Sequence, residues 1–447
     1  MKLAIVGTGY VGLVSGACLA GLGHEVVCVD LDEHKIAALN AGEIPIFEPG
    51  LEQLVADNRA AGRLSFTASI EHAVADARAV FISVGTPSRR SDGHADLSHV
   101  YAAAASIARA VSGFTVVVTK STVPVGAGDS IVQTILQANP RADVAVVSNP
   151  EFLREGAAIE DFQQPDRIVV GVEDERAREV MLELYRPFIL AERPVLLTDR
   201  RTAELTKYAA NAFLAMKVTF INEIADLCER VGADVQDVAR GIGLDRRISP
   251  AFLDAGPGYG GSCFPKDTLA LVQTARDHDA PLRLVETTIA VNQQRKHTMA
   301  EKIIAACGGN IRGKTVALLG LTFKPGTDDM RDAPSIPLVE ALVNAGGRVR
   351  AFDPEGMPAA RTVLQPIEYA TDAYDAARGA DALVLVTQWS SFLGLDLDRV
   401  RSVMSTPVFV DLRNGYRRDT VEAKGLAYHG IGKPSVPGKA SLVLAAE

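Results

Sequence analysis

Cysteine is scarce in this sequence. Cys18, Cys28, Cys228, Cys263 and Cys307 are the only five in 447 residues. They form an odd, scattered set without a C-x-x-C pair, which excludes a disulfide scaffold and points to reduced thiols in a cytosol. No metal site is expected. A basic excess is missing too: 46 Lys and Arg against 55 Asp and Glu leave a net charge of -9, which argues against a phosphate-tracking nucleic-acid surface. Any anionic ligand must then be met by local cations. Nowhere does an apolar run approach the roughly 20 residues that a membrane helix needs. The opening stretch 1–6 is interrupted by Gly7, Gly9 and Gly12 and lacks the long apolar core and cleavage site of a signal peptide. A cytoplasmic protein with no membrane and no nucleic-acid partner is expected.

What remains is the composition of folded domains, 47% hydrophobic and 23% charged, over a length that implies two or three of them. Short apolar runs at 3–6, 25–29, 79–84, 115–119 and 144–147 alternate with helical stretches. Such runs read as strands buried on both faces, hence a parallel sheet in a doubly wound α/β domain. From about 199 to 240 the strand signals vanish and a long connecting helix is expected. Apolar residues occupy several of its faces (Leu205, Phe213, Met216, Phe220, Ile224), more than one flanking domain would cover. Either a dimer interface or burial between two domains accounts for them. Beyond 308–314 the alternation resumes, with strands at 315–320, 348–352, 382–387 and 408–410 and a helix at 335–343. The fold class is therefore α/β, two Rossmann-like doubly wound domains joined by a long central helix. The second half has no G-x-G-x-x-G and is not expected to hold a dinucleotide.

Gly7-Thr8-Gly9-Tyr10-Val11-Gly12 follows the first strand and opens a helix. The second strand ends in Asp30, about 20 residues on, as a dinucleotide fingerprint requires. The first glycine permits the tight turn, the second lets the backbone approach a pyrophosphate, and the third packs helix on strand. Asp30 can accept from the adenosine ribose hydroxyls and would repel a 2′-phosphate, so NAD is favoured over NADP. Lys35 tempers this by pairing with Asp30 or reaching the ribose.

Gly256-Pro257-Gly258-Tyr259-Gly260-Gly261-Ser262-Cys263-Phe264-Pro265-Lys266-Asp267 is the most unusual stretch. Four glycines strip away side chains before one cysteine, which suggests a backbone open to a ligand. A thiol at a helix start near Lys266 favours the thiolate a nucleophile needs, and Asp267 shares its face; a buried structural cysteine is the alternative. Glu204, Lys207 and Asn211 lie on one helical face, either to hold an oxyanion or as a solvated surface. Ser148-Asn149-Pro150-Glu151 follows a strand end, where α/β sheets place ligands, and also fits a capping box.

Together these pieces resemble the UDP-glucose/GDP-mannose dehydrogenase family over nearly the whole chain. The resemblance is carried by Gly7 to Gly12, Val84-Gly-Thr-Pro87, Lys120-Ser-Thr-Val-Pro124, Asn149-Pro-Glu-Phe-Leu153, Gly260-Gly-Ser-Cys-Phe-Pro-Lys-Asp267 and Gly320-Leu-Thr-Phe-Lys-Pro325. It implies oxidation of a nucleotide sugar's C6 alcohol to a carboxylate with two NAD, through a thiohemiacetal and thioester on Cys263. Lys207 and Asn211 would then stabilise oxygen charge, Asp267 would orient water or Lys207, and Glu151 and Thr122 would handle protons and water. Cofactor contacts would map to Gly7, Gly9, Tyr10, Val11, Gly12, Asp30, Lys35, Thr86, Thr122, Glu155, Lys266 and Arg331. Substrate contacts would map to Glu151, Phe152, Leu153, Arg154, Glu155, Lys207, Asn211, Arg247, Phe252, Leu253, Gly258, Lys324 and Arg413. In some members a matching arginine serves the neighbouring subunit, as Arg247 would in a homodimer.

The implied domains are an NAD-binding domain at 1–198, a central helical and dimerising domain at 199–300 and a UDP-sugar domain at 310–440. The stretch from Phe323 to Arg331 leans toward UDP-glucose as substrate, against GDP-mannose or a UDP-N-acetylhexosamine; a non-catalytic nucleotide-sugar or NAD-sensing protein is the rival from another class. One departure stands out. Members often read Gly-x-Lys-Phe-Leu where this chain has Ser249-Pro250-Ala251-Phe252-Leu253, followed by Asp254, so a cation is missing and an acid added.

Overall fold

The computed structural model describes residues 1–89 and 93–434; the expected third domain, 310–440, ends outside them. The chain divides into two compact units, Met1–Ala210 with Leu269–Pro281, and Asn211–Thr268 with residues 282 onward. The first is built on β1 (Lys2–Val6), β2 (Glu25–Val29), β3 (Leu64–Thr67), β4 (Ala79–Ile82), β5 (Thr115–Thr119), β6 (Val144–Ser148), β7 (Ile168–Gly171) and β8 (Val195–Thr198), in the order β3-β2-β1-β4-β5-β6-β7-β8. Every residue of β4 and β5 is buried, which is why both read as unbroken apolar runs. The strand order reverses between β1 and β4, the switch point where such sheets bind ligands.

This sheet is not parallel throughout, contrary to expectation. β7 meets β6 antiparallel through Ser148 and Gly171, while β7 and β8 are mutually parallel. After β6 the chain stays non-helical to residue 157, and the helix that follows, Ala158–Gln163, has six residues. At 1.5 Å per residue it spans about 9 Å, too little to carry the chain back along the sheet, so β7 returns in the opposite direction.

The second unit is a fully parallel sheet of β9 (Thr315–Leu319), β10 (Arg348–Phe352), β11 (Glu368–Tyr369), β12 (Ala382–Leu385), β13 (Val408–Asp411) and β14 (Ala427–Gly430), in the order β11-β10-β9-β12-β13-β14. The edge strands β11 and β14 are too short or too polar to show as apolar runs. Apolar clusters cover both faces of each sheet, so the expected doubly wound architecture is the observed one. The long helix is Arg200–Val231. The chain turns at Gly232 with φ +78°, and Val235–Gly243 is a separate helix capped by Asp234, whose side chain accepts from the Gln236 N–H at 2.8 Å. The helical stretch expected to reach Arg240 is therefore two helices.

Candidate active site

The three glycines after β1 answer to different demands. Gly7 adopts φ +100°, and a Cβ there would lie 2.6 Å from the Ser83 carbonyl oxygen; one on Gly12 would lie 1.9 Å from the Gly7 oxygen. Packing alone therefore requires both. A Cβ on Gly9 would meet nothing within 4 Å. The protein itself does not need that glycine, so its bareness serves whatever approaches from outside. Gly9 also precedes the helix Tyr10–Gly21, whose N-terminus no side chain caps, leaving N–H groups for an anion. At the end of β2, Asp30 accepts from the Thr8 N–H at 2.9 Å and hydroxyl at 2.8 Å, from the Asp32 N–H at 3.1 Å and from Lys35 Nζ at 3.3 Å. Burial pushes its pKa up, but these donors outweigh burial and leave it below the usual value. Uncapped amides beside a fixed carboxylate fit a dinucleotide's pyrophosphate and ribose.

Tyr10 and half-buried Val11 open that helix. The Tyr10 hydroxyl donates to Glu48 and accepts from the Gly156 N–H at 2.9 Å. Glu48 is buried and also accepts from the N–H groups of Gly156 and Ala158. It ties the loop carrying half-buried Glu155 to the cofactor turn. Sequence reasoning missed it, because a lone glutamate in a loop gives no signal.

Between β6 and β7 the capping box of Ser148 and Glu151 does not form. Pro150 disfavours helical backbone at Asn149, and no helix starts there. Ser148 Oγ donates instead to Glu204 Oε1 at 2.8 Å. Glu204 also accepts from the Gly126 and Gly128 N–H groups, while burial holds its carboxyl above the usual range. The Glu204–Lys207 face is thus buried rather than solvated. Glu151 accepts from the Leu153 N–H and, at 3.3 Å, from Lys207 Nζ, and both charged side chains are buried. Thr122 and Lys207 border one small cavity, and the Thr86 hydroxyl donates to the Thr122 carbonyl at 3.0 Å. Phe152 packs under Arg167 and Lys207, 3.6 and 5.2 Å from its ring centre. Half-buried Leu153 leads into Arg154, which forms a bidentate pair with Asp161.

In the second unit the four glycines before Cys263 let the chain pack on itself. A Cβ on Gly258 would lie 2.9 Å from Asn292 Oδ1, on Gly260 2.3 Å from the Asp332 oxygen, on Gly261 2.7 Å from the Phe323 ring, and on Gly256 3.0 Å from Arg413 Nη1. Cys263 is half-buried at the start of the helix Phe264–Asp277, its carbonyl accepting from the Asp267 N–H at 2.8 Å. The other four cysteines are buried. Burial pushes the thiols of Cys18 and Cys28 up to about 12 and those of Cys228 and Cys307 upward. Asp267 has no exposed surface and accepts from Asn211 Nδ2 and Lys266 Nζ, each at 2.6 Å. Lys266 therefore serves Asp267.

Each of the expected cations has its own local partners. Arg413, after β13, donates to the carbonyls of Val386 at 2.8 Å and Phe323 at 3.0 Å, next to Lys324. Burial lowers its pKa to about 10 against the pull of Asp254 and Asp411. Leu253, Asp254, Arg240 and Arg413 line a cavity of about 340 Å³. Phe252 is held at φ +64° with its ring 5.9 Å from that of Phe264. Arg331 pairs with Asp329. Arg247 is exposed and bound to Asp245 at 2.6 Å.

Residues 1–189 match the NAD binding domain of the UDP-glucose/GDP-mannose dehydrogenase family, 201–294 its central domain and 317–418 its UDP binding domain. The chain is 66% identical to a UDP-glucose 6-dehydrogenase of Rhizobium meliloti (strain 1021), covering 97% of this chain and all of that protein. It is 48% identical to one of Bacillus subtilis (strain 168), covering 98% of each. Among solved structures it resembles a UDP-glucose dehydrogenase from the hyperthermophilic archaeon Pyrobaculum islandicum, at 38% identity and TM-score 0.89 over 97% of this chain and 98% of that one. With all three domains in order along it, the chain belongs to the UDP-glucose/GDP-mannose dehydrogenase family.

Proposed function

We propose that the chain oxidises UDP-glucose to UDP-glucuronate in a four-electron, NAD-dependent reaction. The observation that carries this is Cys263, the one cysteine not fully buried, set at a helix start one turn from the buried Asp267 cluster. The activity named for the similar proteins supports the choice of UDP-glucose. NAD, held by the Gly7–Gly12 turn and Asp30, supplies the hydride acceptor when bound. An aldehyde carbon cannot give up hydride until a nucleophile makes it tetrahedral; the Cys263 thiolate adds to give a thiohemiacetal, loss of a second hydride to the acceptor leaves a thioester on Cys263, and water opens it to release the acid and the thiol. Lys207 and Asn211 stabilise charge on the reacting oxygen, Asp267 holds Asn211 and orients water, and Glu151 and Thr122 manage protons. Lys324 and Arg413 meet the diphosphate. We assign the cofactor to residues 1–198, pairing of copies to 199–300 and the UDP-sugar to 310–440.

Phe213, Phe220 and Leu227, seven residues apart on the helix Arg200–Val231, stay 58%, 49% and 53% exposed. We assign this stripe to a second copy of the chain; a monomer by light scattering would overturn the assignment. No helix among the described residues is long and apolar enough to cross a membrane, and the five free cysteines support a cytoplasmic location. The deciding experiment counts NADH per UDP-glucose. Two are expected, with Cys263→Ser abolishing acid formation while substrate still binds. One NADH, or faster turnover of GDP-mannose, would sink the reading.

A further inference from the structure

Lys120, the first residue after β5, carries an ammonium group in the interior of the first unit. Its Nζ donates to Asn149 Oδ1 at 3.1 Å. The same oxygen accepts from the Tyr185 hydroxyl, and Asn149 Nδ2 donates to the Val169 carbonyl at 2.7 Å. Asn149 is thus fixed from three sides, two residues before Glu151. Among the described residues Lys120 has no ion pair, but its charge is felt by Glu151 and Lys207. Phe162 offers only its ring, 6.0 Å away.

Lys120, Asn149, Tyr185 and Glu151 also line a cavity of about 310 Å³. The same cavity is lined by Arg154, paired with Asp161, and by Glu160, Asp166, Arg167 and Arg193. Burial lowers the pKa of Lys120 to about 8; Glu151 opposes the shift and Lys207 adds to it. The folded protein therefore holds this proton less tightly than the unfolded chain. The cost to stability is complete below about pH 8 and fades as pH rises toward the free-lysine value of about 10.4. A charge buried at a cost, with one amide as its hydrogen-bond partner, marks a functional demand rather than a structural one.

We propose that Lys120 is a positioning residue for the oxidation: with Asn149 and Tyr185 it fixes the segment that carries Glu151, and so holds Glu151 against Lys207. The inference rests on the reading that places Glu151 and Lys207 in the reacting site. Without the Lys120 ammonium, the hydrogen bond that holds Asn149 is lost and the segment carrying Glu151 is free to shift from Lys207.

The test compares Lys120→Met with Lys120→Arg. The Met variant is expected to keep or raise Tm, to lose about tenfold in kcat near neutral pH, within the roughly hundredfold that a 1 Å misplacement of a reacting group can cost, and to leave KM for NAD within about twofold. The Arg variant restores kcat, since its charge persists at all pH and the cavity has room for it. The wild-type kcat profile has a step near pH 8 that both variants lack. Full kcat in Lys120→Met, or joint loss of kcat and Tm without rescue by Arg, would overturn the proposal. A second measurement needs no turnover. In protein labelled at lysine Cε, the Lys120 resonance titrates near pH 8 and at lower pH in Glu151→Gln; an unmoved titration also refutes the coupling. If UDP-glucose is not oxidised, the assigned reaction fails, while the coupling stands or falls on this titration.

Discussion

In both sheets the first strand runs into a glycine and the second into an aspartate. Gly7 and Gly320 both take positive φ, +100° and +92°, and both donate from N–H to the end of the neighbouring strand, Gly7 to Val29 at 2.8 Å and Gly320 to Phe352 at 2.9 Å. Both lie against the strand across the switch point, where a Cβ would come within 2.6 Å of Ser83 or 2.3 Å of Thr387. There the likeness stops. After Gly7 a helix starts at Tyr10 with its amides uncapped, whereas after Gly320 the next helix starts only at Ser335. Asp30 anchors the turn and keeps part of its carboxylate in reach of solvent, its side chain 16% exposed. Asp353 is fully buried and accepts from the N–H groups of Leu321, Thr322, Glu355 and Gly356, the Thr322 hydroxyl and Trp389 Nε1. The two aspartates differ in what is left over: Asp353 takes six protein donors with no exposed surface, whereas Asp30 takes four and keeps an exposed edge that a ligand could reach.

Replacing each aspartate should separate the two uses. Asp353→Ala strands buried donors that no water replaces, and unfolding free energy should fall by more than about 3 kcal/mol, read in a urea titration. A loss under about 1 kcal/mol would mean that Asp353 is not spent on the fold. Asp30→Ala should act on the ligand instead. Loss of a charged acceptor for the ribose weakens NAD by about 2 kcal/mol, or roughly thirtyfold in Kd, and narrows the preference over NADP. Titration calorimetry with both cofactors measures this, and unchanged NAD affinity would remove Asp30 from the cofactor site.

The difference between the two aspartates was only half legible in the sequence. The spacing of Gly7, Gly9, Gly12 and Asp30 carries its own physics, because each residue type is demanded by a local backbone event. The missing second and third glycines after Gly320 likewise told against a dinucleotide. Nothing in the sequence said that Asp353 would be consumed, since its partners come from a distant tryptophan and two loops. The same holds at the site. Cys263 stood out because glycines surround it, yet those glycines turned out to pack on Asn292, Asp332 and Phe323, contacts that no local pattern encodes. Glu48 and Lys120 were invisible as functional residues because their meaning lies in burial. The strands β3 and β8 were missed because they are partly exposed, and β7 because only three apolar residues precede Gly171, whereas the equally short β4, β12 and β13 are buried throughout.

The smallest expected effect on stability is also the sharpest test of the open turn. Gly9 has ordinary φ of -72°, and a Cβ there touches no protein atom within 4 Å, so Gly9→Ala strains nothing in the folded state. By restricting the unfolded chain it should stabilise by about 0.5 kcal/mol, visible as a slight rise in Tm. If a pyrophosphate reaches the uncapped amides of this turn as assigned, the same methyl group stands in its way, so NAD affinity should fall while the protein becomes more stable. Gly12→Ala, driven against the Gly7 oxygen at 1.9 Å, cannot show this pattern and should lose stability and NAD binding together. If Gly9→Ala kept full NAD affinity, the bareness of that turn would need another explanation, and the contrast with Gly320 would reduce to the aspartates alone.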